Sequence, residues 1–229
     1  MSRAAVSIPD EKAMLCEGCG YTLDGLPDHS VCPECGKPIG ESSPNLRDTS
    51  AWEKREQWLR TTYAVLFQPT QFFRTLATRG DVWPAWRFAM SHWIIASIIF
   101  AAAADTHRRL VGITWHIPPP AYMVLPLIFW LTTRFAARLT HWEATYRGLR
   151  MPLSVVLRAM YFHSAHYLPV ALLALLTVLT YRWMLARQIV GADSIVLYLY
   201  VLCGEVVLSA VYLFKTYWIS MRNIMYANR

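Results

Sequence analysis

Residues 88–104 read Phe-Ala-Met-Ser-His-Trp-Ile-Ile-Ala-Ser-Ile-Ile-Phe-Ala-Ala-Ala-Ala and contain no Asp, Glu, Lys or Arg. An α-helix needs about 20 such residues, within a range of roughly 17–25, to cross the hydrocarbon core of a bilayer. Three more apolar stretches follow, at residues 111–133, 159–181 and 195–214. We therefore predict an all-α polytopic membrane helical bundle of about four spans, near residues 86–104, 118–137, 159–181 and 194–214.

The composition agrees with a protein embedded in a lipid bilayer. Hydrophobic residues make up 55% of the 229 residues and charged residues 16%, whereas soluble domains contain about 25% charged residues. The net charge of +7 could indicate nucleic acid or anionic lipid. Because the arginines flank apolar stretches instead of forming one compact cluster, lipid headgroups and membrane topology explain them better.

The distribution of Lys and Arg predicts the orientation of the spans. Most of these residues lie before the first span, between the second and third spans, and after the fourth. The two remaining loops contain only Arg108, Arg109, Arg182 and Arg187. Since basic residues are retained in the cytosol, we expect a multi-pass protein of the inner (cytoplasmic) membrane with both termini cytosolic. Residues 1–15 lack the apolar core of a secretory signal, which agrees with a cytosolic, reduced amino-terminal head.

Two cysteine pairs precede the membrane region, and a glycine follows each pair. They are Cys16-Glu17-Gly18-Cys19-Gly20 and Cys32-Pro33-Glu34-Cys35-Gly36. Four thiolates from two C-x-x-C turns suit one structural zinc ion, bound by Cys16, Cys19, Cys32 and Cys35 in a small β-type zinc ribbon. Glycine at a positive φ lets each turn aim main-chain N–H groups at the sulfurs. A rubredoxin-like iron centre is the alternative, and a catalytic zinc is disfavoured because four protein ligands leave no position for water.

The charge of this head indicates what it binds. Between Cys16 and Cys35 there is no Lys or Arg, and there are four acidic residues: Glu17, Asp24, Asp28 and Glu34. A surface that binds phosphate groups requires the opposite charge. We therefore exclude nucleic acid as a partner and expect the ribbon to bind a protein or to be purely structural.

The remaining segments are assigned from local patterns. We predict a flexible amino terminus at residues 1–13, the zinc ribbon at 14–40, a polar linker at 41–50, amphipathic or interfacial helices at 51–80, and the transmembrane domain at 81–229. Ser50 and Glu53 form a capping box for a helix that begins near residue 51. Its apolar face carries Trp52, Leu59, Tyr63 and Leu66, and it could lie on the bilayer or on the body of the protein.

A second short helix is predicted to begin at Pro69, because proline is tolerated at the first position of a helix. We expect Phe72, Phe73 and Leu76 to form an interfacial wedge on this helix. Cys203, in the fourth apolar stretch, is expected to be a small buried hydrophobic residue.

Two parts of the chain resemble known families. The head, Cys16-x-x-Cys19-Gly20-Tyr21 with Cys32-Pro33-x-Cys35-Gly36, resembles the zinc ribbon at the start of many bacterial membrane proteins. Residues 65–215 resemble the YIP family of multi-span membrane proteins, through Phe67-Gln68-Pro69-Thr70-Gln71-Phe72-Phe73 and Gly148-x-x-Met151-Pro152-Leu153. This resemblance implies a non-enzymatic membrane protein in trafficking or membrane organisation, and it supplies no catalytic residues.

Three histidines and one glutamate fall within the predicted spans: His92, His163, His166 and Glu205. Such residues are costly in a membrane, so a metal, haem or proton-relay site is one interpretation. The favoured interpretation is that the histidines form hydrogen bonds across the bundle or face the headgroups, while Glu205 is protonated or paired, most simply with His163 or His166.

These observations favour a membrane scaffold over an enzyme. The sequence contains no Gly-rich phosphate loop, G-x-S-x-G elbow or H-E-x-x-H helix. We predict an integral membrane scaffold or organising protein whose cytosolic zinc ribbon binds a protein partner. The alternatives are a transporter or redox component that uses Glu205 with His163 and His166, and a subunit of a larger membrane complex or homo-oligomer.

Overall fold

The structure is a computed structural model that describes residues 13–114, 123–149 and 151–228. About 71% of these residues are helical, and none of them belongs to a strand. The predicted all-α class is therefore confirmed for the described part of the chain. Its helices are α1 (Ala51–Arg55), α2 (Trp58–Phe67), α3 (Pro69–Thr75), α4 (Trp83–Leu110), α5 (Val124–Tyr146), α6 (Leu153–His163), α7 (Tyr167–Ala186) and α8 (Ile195–Ile224).

Three helical segments in the described residues are long and apolar enough to cross a membrane. They are α4, the continuous pair α6–α7 at Leu153–Ala186, and α8, and they match the first, third and fourth predicted spans. Residues 118–122, at the start of the second predicted span, lie outside the described residues. The helix α5 covers the rest of that span and is not among the three; Arg134 and Arg138 interrupt its apolar sequence.

The pair α6–α7 contains a local break. A short 3₁₀ turn at Ser164–His166 joins the two helices, and Pro169 is the third residue of α7. Proline has no N–H to donate, and its ring clashes with the carbonyl group four residues earlier, which lies in this turn. Pro169 therefore explains why the third predicted span is two helices instead of one.

The chain divides into two compact units. The first contains the described residues of 1–88, 132–163 and 217–229. Its central helix is α6, in which every residue from Val155 to His163 is buried. Phe162 packs against both Phe72 and Phe88, with ring centroids 5.2 Å apart in each case.

A buried ion pair also joins parts of the first unit. Arg158 of α6 is only 2% exposed. Its Nε donates to Glu53 Oε1 at 2.9 Å, and its Nη1 donates to the carbonyl oxygens of Ala77 and Arg79 at 2.6 and 2.7 Å. Each nitrogen of the guanidinium thus has an acceptor inside the unit, which offsets the cost of burying the charge.

The second unit contains the described residues of 89–131 and 164–216. Tyr181 of α7 stacks on Tyr198 of α8 with ring centroids 4.1 Å apart, and Tyr198 forms a 2.7 Å hydrogen bond with His107 Nδ1. Many aliphatic side chains of α7 and α8 are exposed, among them Leu176 and Val206. Such surfaces are expected where lipid covers the protein.

The structure corrects several expectations for residues 51–80. The capping box is confirmed, because Ser50 Oγ accepts the Glu53 N–H and Glu53 Oε2 accepts the Ser50 N–H. The single amphipathic helix is wrong: Glu56 adopts the left-handed conformation, with φ of 51°, and this ends α1 before α2 begins. Leu59 and Tyr63 of α2 are exposed.

The second short helix begins at Pro69 as predicted. The expected interfacial wedge on it is wrong, because Phe73 and Leu76 are buried. Residues 41–50 were predicted to be a linker. They contain the end of the 3₁₀ turn Ile39–Ser42 and the whole of the 3₁₀ turn Pro44–Leu46. They are also tied to the end of α3, since the Asp48 N–H donates to the carbonyl oxygen of Thr75 at 2.7 Å.

Candidate metal centre

The four predicted cysteines lie together, with all their Sγ atoms within 4.8 Å of one another. The Cys16 and Cys35 sulfurs are 3.5 Å apart, and the Cys19 and Cys32 sulfurs 3.6 Å apart. A disulfide would require about 2.05 Å. A tetrahedral zinc ion with bonds of about 2.3 Å separates its sulfur ligands by about 3.8 Å. The cluster therefore fits one tetrahedral metal ion.

The two cysteine turns share one hydrogen-bond pattern. The Gly20 N–H donates to the carbonyl oxygen of Cys16 at 2.8 Å, and the Gly36 N–H donates to that of Cys32 at 2.9 Å. Both glycines have the predicted positive φ, 83° and 70°. A single antiparallel bridge flanks each turn, Leu15 with Thr22 and Val31 with Pro38. The expected β-type ribbon is therefore represented only by these two isolated bridges, and the described residues of the head contain no strand. We call the turns the first knuckle (residues 15–22) and the second knuckle (residues 31–38).

Main-chain N–H groups point at the sulfurs, as the glycine positions predicted. Cys16 accepts hydrogen bonds from the N–H groups of Gly18 and Cys19. Cys19 accepts one from Tyr21, and Cys35 accepts one from Lys37. Such bonds stabilise thiolates, which are the forms that bind metal.

The thiols influence one another's ionisation. Burial acts to raise the pKa of Cys16, but hydrogen bonds from main-chain N–H groups and neighbouring thiols outweigh burial and lower that pKa to about 7. Burial raises the pKa of Cys19 to about 12, and the side chains of Cys32 and Cys35 act in the same direction. One thiolate therefore forms readily, and a bound cation is what would let its neighbours ionise as well.

The apolar core of this head is very small. Cys16, Cys32, Leu23 and Ile39 form one buried cluster. So short a segment cannot fold on its core alone, so metal binding is expected to supply much of its folding free energy.

The first knuckle is covered by the carboxy-terminal tail, residues 223–228, within the first unit. Asn228 Oδ1 accepts the Leu15 N–H at 2.8 Å, and Asn228 Nδ2 donates to the carbonyl oxygens of Leu15 and Ser42, both at 2.7 Å. The ring of Tyr226 packs on Gly20 so closely that a Cβ there would lie 2.5 Å from a ring carbon. The sequence gives no signal for these contacts.

A buried ion pair strengthens this attachment. Arg47 donates to both carboxylate oxygens of Glu17, at 2.8 and 2.9 Å, and both side chains are almost completely buried. Arg47 also donates to the carbonyl oxygen of Asn223 at 3.0 Å. Glu17 lies between two predicted metal ligands, Cys16 and Cys19. Its pair with Arg47, which also bonds to Asn223, therefore attaches the first knuckle to the carboxy-terminal tail.

The second knuckle has the opposite environment. Leu15 of the first knuckle is 2% exposed, whereas the equivalent Val31 is 56% exposed. Cys35 is exposed, and a Cβ added to Gly36 would contact nothing within 4 Å. Two knuckles of similar geometry therefore present one covered surface and one open surface.

The predicted ionisable cluster does not form a second metal site. Within residues 13–114, 123–149 and 151–228, the four cysteines are the one group of three or more ligand-type side chains close enough to hold an ion. His92, His163 and His166 are buried, and His166 Nδ1 forms a 2.7 Å hydrogen bond with the hydroxyl of Tyr212.

Two further expectations for the apolar helices are wrong. Glu205 Oε2 is buried and has no hydrogen-bond partner among the described residues; the predicted pair with His166 is not formed, because His166 Nδ1 bonds to Tyr212 instead, and the pair with His163 stays a prediction. Cys203 is exposed on α8 instead of buried, because this part of the helix presents its side chains outward.

No family model, curated protein or solved structure matches this chain.

Proposed function

We propose that this protein is a non-enzymatic scaffold of the inner membrane that crosses the bilayer four times with both termini in the cytosol. In this proposal the four cysteines bind one structural zinc ion, and the zinc-bound head presents its second knuckle to a protein partner. A role in membrane organisation, as the YIP resemblance implies, belongs to the same proposal.

The contact between the head and the tail supports the four-span topology. Asn228 is hydrogen-bonded to Leu15, which supports a topology with residues 15 and 228 on the same side of the membrane. Such a topology has an even number of crossings, whereas the three apolar helical segments alone would give an odd number. A further crossing that includes α5 satisfies this requirement. The excess of basic residues on the side of both termini favours the cytosol.

The observation that carries the proposed role is the difference between the two knuckles. In the first knuckle, Leu15, Glu17 and Gly20 are already in contact with other parts of the first unit. The second repeats the same backbone geometry but leaves Val31 and Cys35 exposed. An exposed aliphatic side chain on a metal-fixed turn is preorganised for binding, because little conformational entropy is lost when a partner docks.

A photo-crosslinking experiment in cells tests this role. A benzoyl-phenylalanine residue placed at Val31 is expected to give one discrete, saturable protein adduct. The matched control is the same residue at Tyr146, which is 76% exposed in the same unit and is not part of the ribbon. Purified protein from the same cells is expected to contain one zinc per chain and to have no visible absorption band.

The adduct must also depend on the metal site. Combining the Val31 probe with Cys35→Ser is expected to remove both the zinc and the adduct, since the knuckle loses the ligand that closes it. Equal adducts from positions 31 and 146, or an adduct that survives the loss of zinc, would contradict a partner surface on the second knuckle. Iron at the same stoichiometry would contradict the zinc assignment.

A further inference from the structure

A basic cavity lies next to the first knuckle, within the first unit. It has a volume of about 550 Å³, within the range of roughly 300–1,000 Å³ that is typical of small-molecule sites. Three cations from three different elements line it: Lys37 from the second knuckle, Arg74 from α3 and Arg222 from α8. Trp218, one turn before Arg222, also lines it and is half exposed.

The charges in this cavity are not balanced by the protein. Glu17 is the acidic residue in its lining, and the buried pair with Arg47 neutralises it. Arg74 is bonded to Glu41 at 2.6 Å. Lys37 and Arg222 have no acidic partner among the described residues. Converging cations repel one another unless an anion is bound between them.

In the proposed four-span topology, the two α8 residues of this cavity, Trp218 and Arg222, lie near the lipid headgroups. Twenty residues of α8, Ile195 to Phe214, are enough to cross the hydrocarbon core. At a rise of about 1.5 Å per residue, Trp218 and Arg222 then lie roughly 6 and 12 Å beyond its edge. Tryptophan is favoured at this depth, and basic pockets beside cytoplasmic helix ends are suited to anionic headgroups.

The metal centre positions one of the three cations. The Lys37 carbonyl oxygen accepts the Cys32 N–H at 2.8 Å, and its N–H donates to the Cys35 sulfur. Its aliphatic stem packs on Gly18, where an added Cβ would lie 3.2 Å from Lys37 Cδ. The knuckles thus fix the backbone and aliphatic stem of Lys37 at the wall of the cavity that Arg74 and Arg222 also line.

From this arrangement we infer that the cavity of Lys37, Arg74 and Arg222 binds a phosphate-bearing anion, namely the phosphodiester headgroup of an anionic phospholipid. This inference rests on the membrane topology and metal site of the proposed function but not on a protein partner, so loss of the Val31 adduct and loss of lipid binding are separate outcomes.

Native mass spectrometry of the full-length, zinc-loaded protein tests this inference. The probes are phosphatidylglycerol, phosphatidylcholine with the same acyl chains, and inorganic phosphate. Phosphatidylglycerol is expected to bind more tightly than phosphatidylcholine. Arg222→Gln is expected to weaken phosphatidylglycerol binding about 5-fold, and Lys37→Gln with Arg222→Gln about 30-fold, with phosphatidylcholine unchanged.

The matched control is Lys215→Gln, which removes a cation from the same helix outside the cavity and is expected to change binding less than 2-fold (an order-of-magnitude bound). A charge-preserving double variant, Lys37→Arg with Arg222→Lys, should retain binding and shows whether losses reflect charge or misfolding. Phosphate that binds alone and displaces the lipid would identify a soluble anion as the ligand. Equal losses in Lys215→Gln and Arg222→Gln, or no preference for phosphatidylglycerol, would overturn the site.

Discussion

Replacing Asn228 with alanine is expected to weaken metal binding by the four cysteines, although Asn228 is 213 positions from Leu15, which it contacts. The Asn228 side chain is 3% exposed and makes three hydrogen bonds with the head, two with Leu15 and one with Ser42. Alanine removes all three and leaves the main-chain groups of Leu15 and Ser42 buried without these partners.

The expected magnitude follows from those bonds. A hydrogen bond contributes about 1 kcal/mol net, so three contribute about 3 kcal/mol. The Leu15 groups, and Ser42, whose hydroxyl oxygen accepts the Glu17 N–H at 3.0 Å, are in place only when the first knuckle is closed, and the knuckle is expected to close only around a metal ion. The lost free energy therefore appears in the affinity for the metal, where each 1.36 kcal/mol is about a factor of ten. We expect Asn228→Ala to weaken zinc binding by roughly 100-fold.

Competition against a chromophoric zinc chelator, with detergent-purified full-length protein, measures this affinity. The matched control is Asn223→Ala on α8. Among the described residues, the Asn223 side chain donates only to the carbonyl oxygen of Ile219 in its own helix, and its main-chain carbonyl, which accepts from Arg47, is retained. The control is expected to stay within about 3-fold of wild type. Wild-type affinity in Asn228→Ala would show that the tail and the metal cluster fold independently, and the coupling argument would be refuted.

Two further substitution pairs test the head and the first unit. Gly36→Ala should weaken zinc binding about 5-fold in the same chelator assay, because a left-handed backbone costs a non-glycine residue about 1 kcal/mol. Gly20→Ala should weaken it more, since the new Cβ also meets the tyrosine ring packed on it; equal effects would contradict tail docking. Arg158→Met leaves the buried carboxylate of Glu53 unpaired at a cost of about 3 kcal/mol or more, so the unfolding temperature followed by tryptophan fluorescence should fall by about 6–12 °C. Arg147→Met removes an exposed pair on one helix and should lower it by about 2 °C or less.

The features that the sequence predicted correctly are local. The spacing of the cysteines, the glycine after each pair, the capping box at Ser50 and the start of α3 at Pro69 all depend on residues within a few positions of one another. Apolar length likewise predicts the long helices, because the bilayer thickness sets it directly.

The features that it could not predict depend on contacts between distant residues. The break at Glu56 follows a hydrophilic stretch with no glycine or proline, so no local signal marks it. Phe73 and Leu76 are apolar enough for either a lipid interface or a core, and only the packing of α3 in the first unit selects the core. The attachment of Asn228 to Leu15 pairs a common polar side chain with main-chain atoms, which carry no sequence information at all.

Arg47 and Arg158 each contribute both to the basic charge outside the predicted spans and to the packing of the first unit. Both are among the basic residues that predict cytosolic loops. In the structure both side chains are buried, and Arg47 is paired with Glu17 and Arg158 with Glu53. The charge bias that predicts topology depends on where basic residues stand in the sequence and not on their partners in the folded chain. After insertion, a buried arginine is stable only with a carboxylate and carbonyl groups around it. Glu53 supplies that carboxylate with one oxygen while the other caps α1. A basic residue that favours the proposed orientation, Arg158 beside the third predicted span, therefore also helps to hold the first unit together in the folded chain.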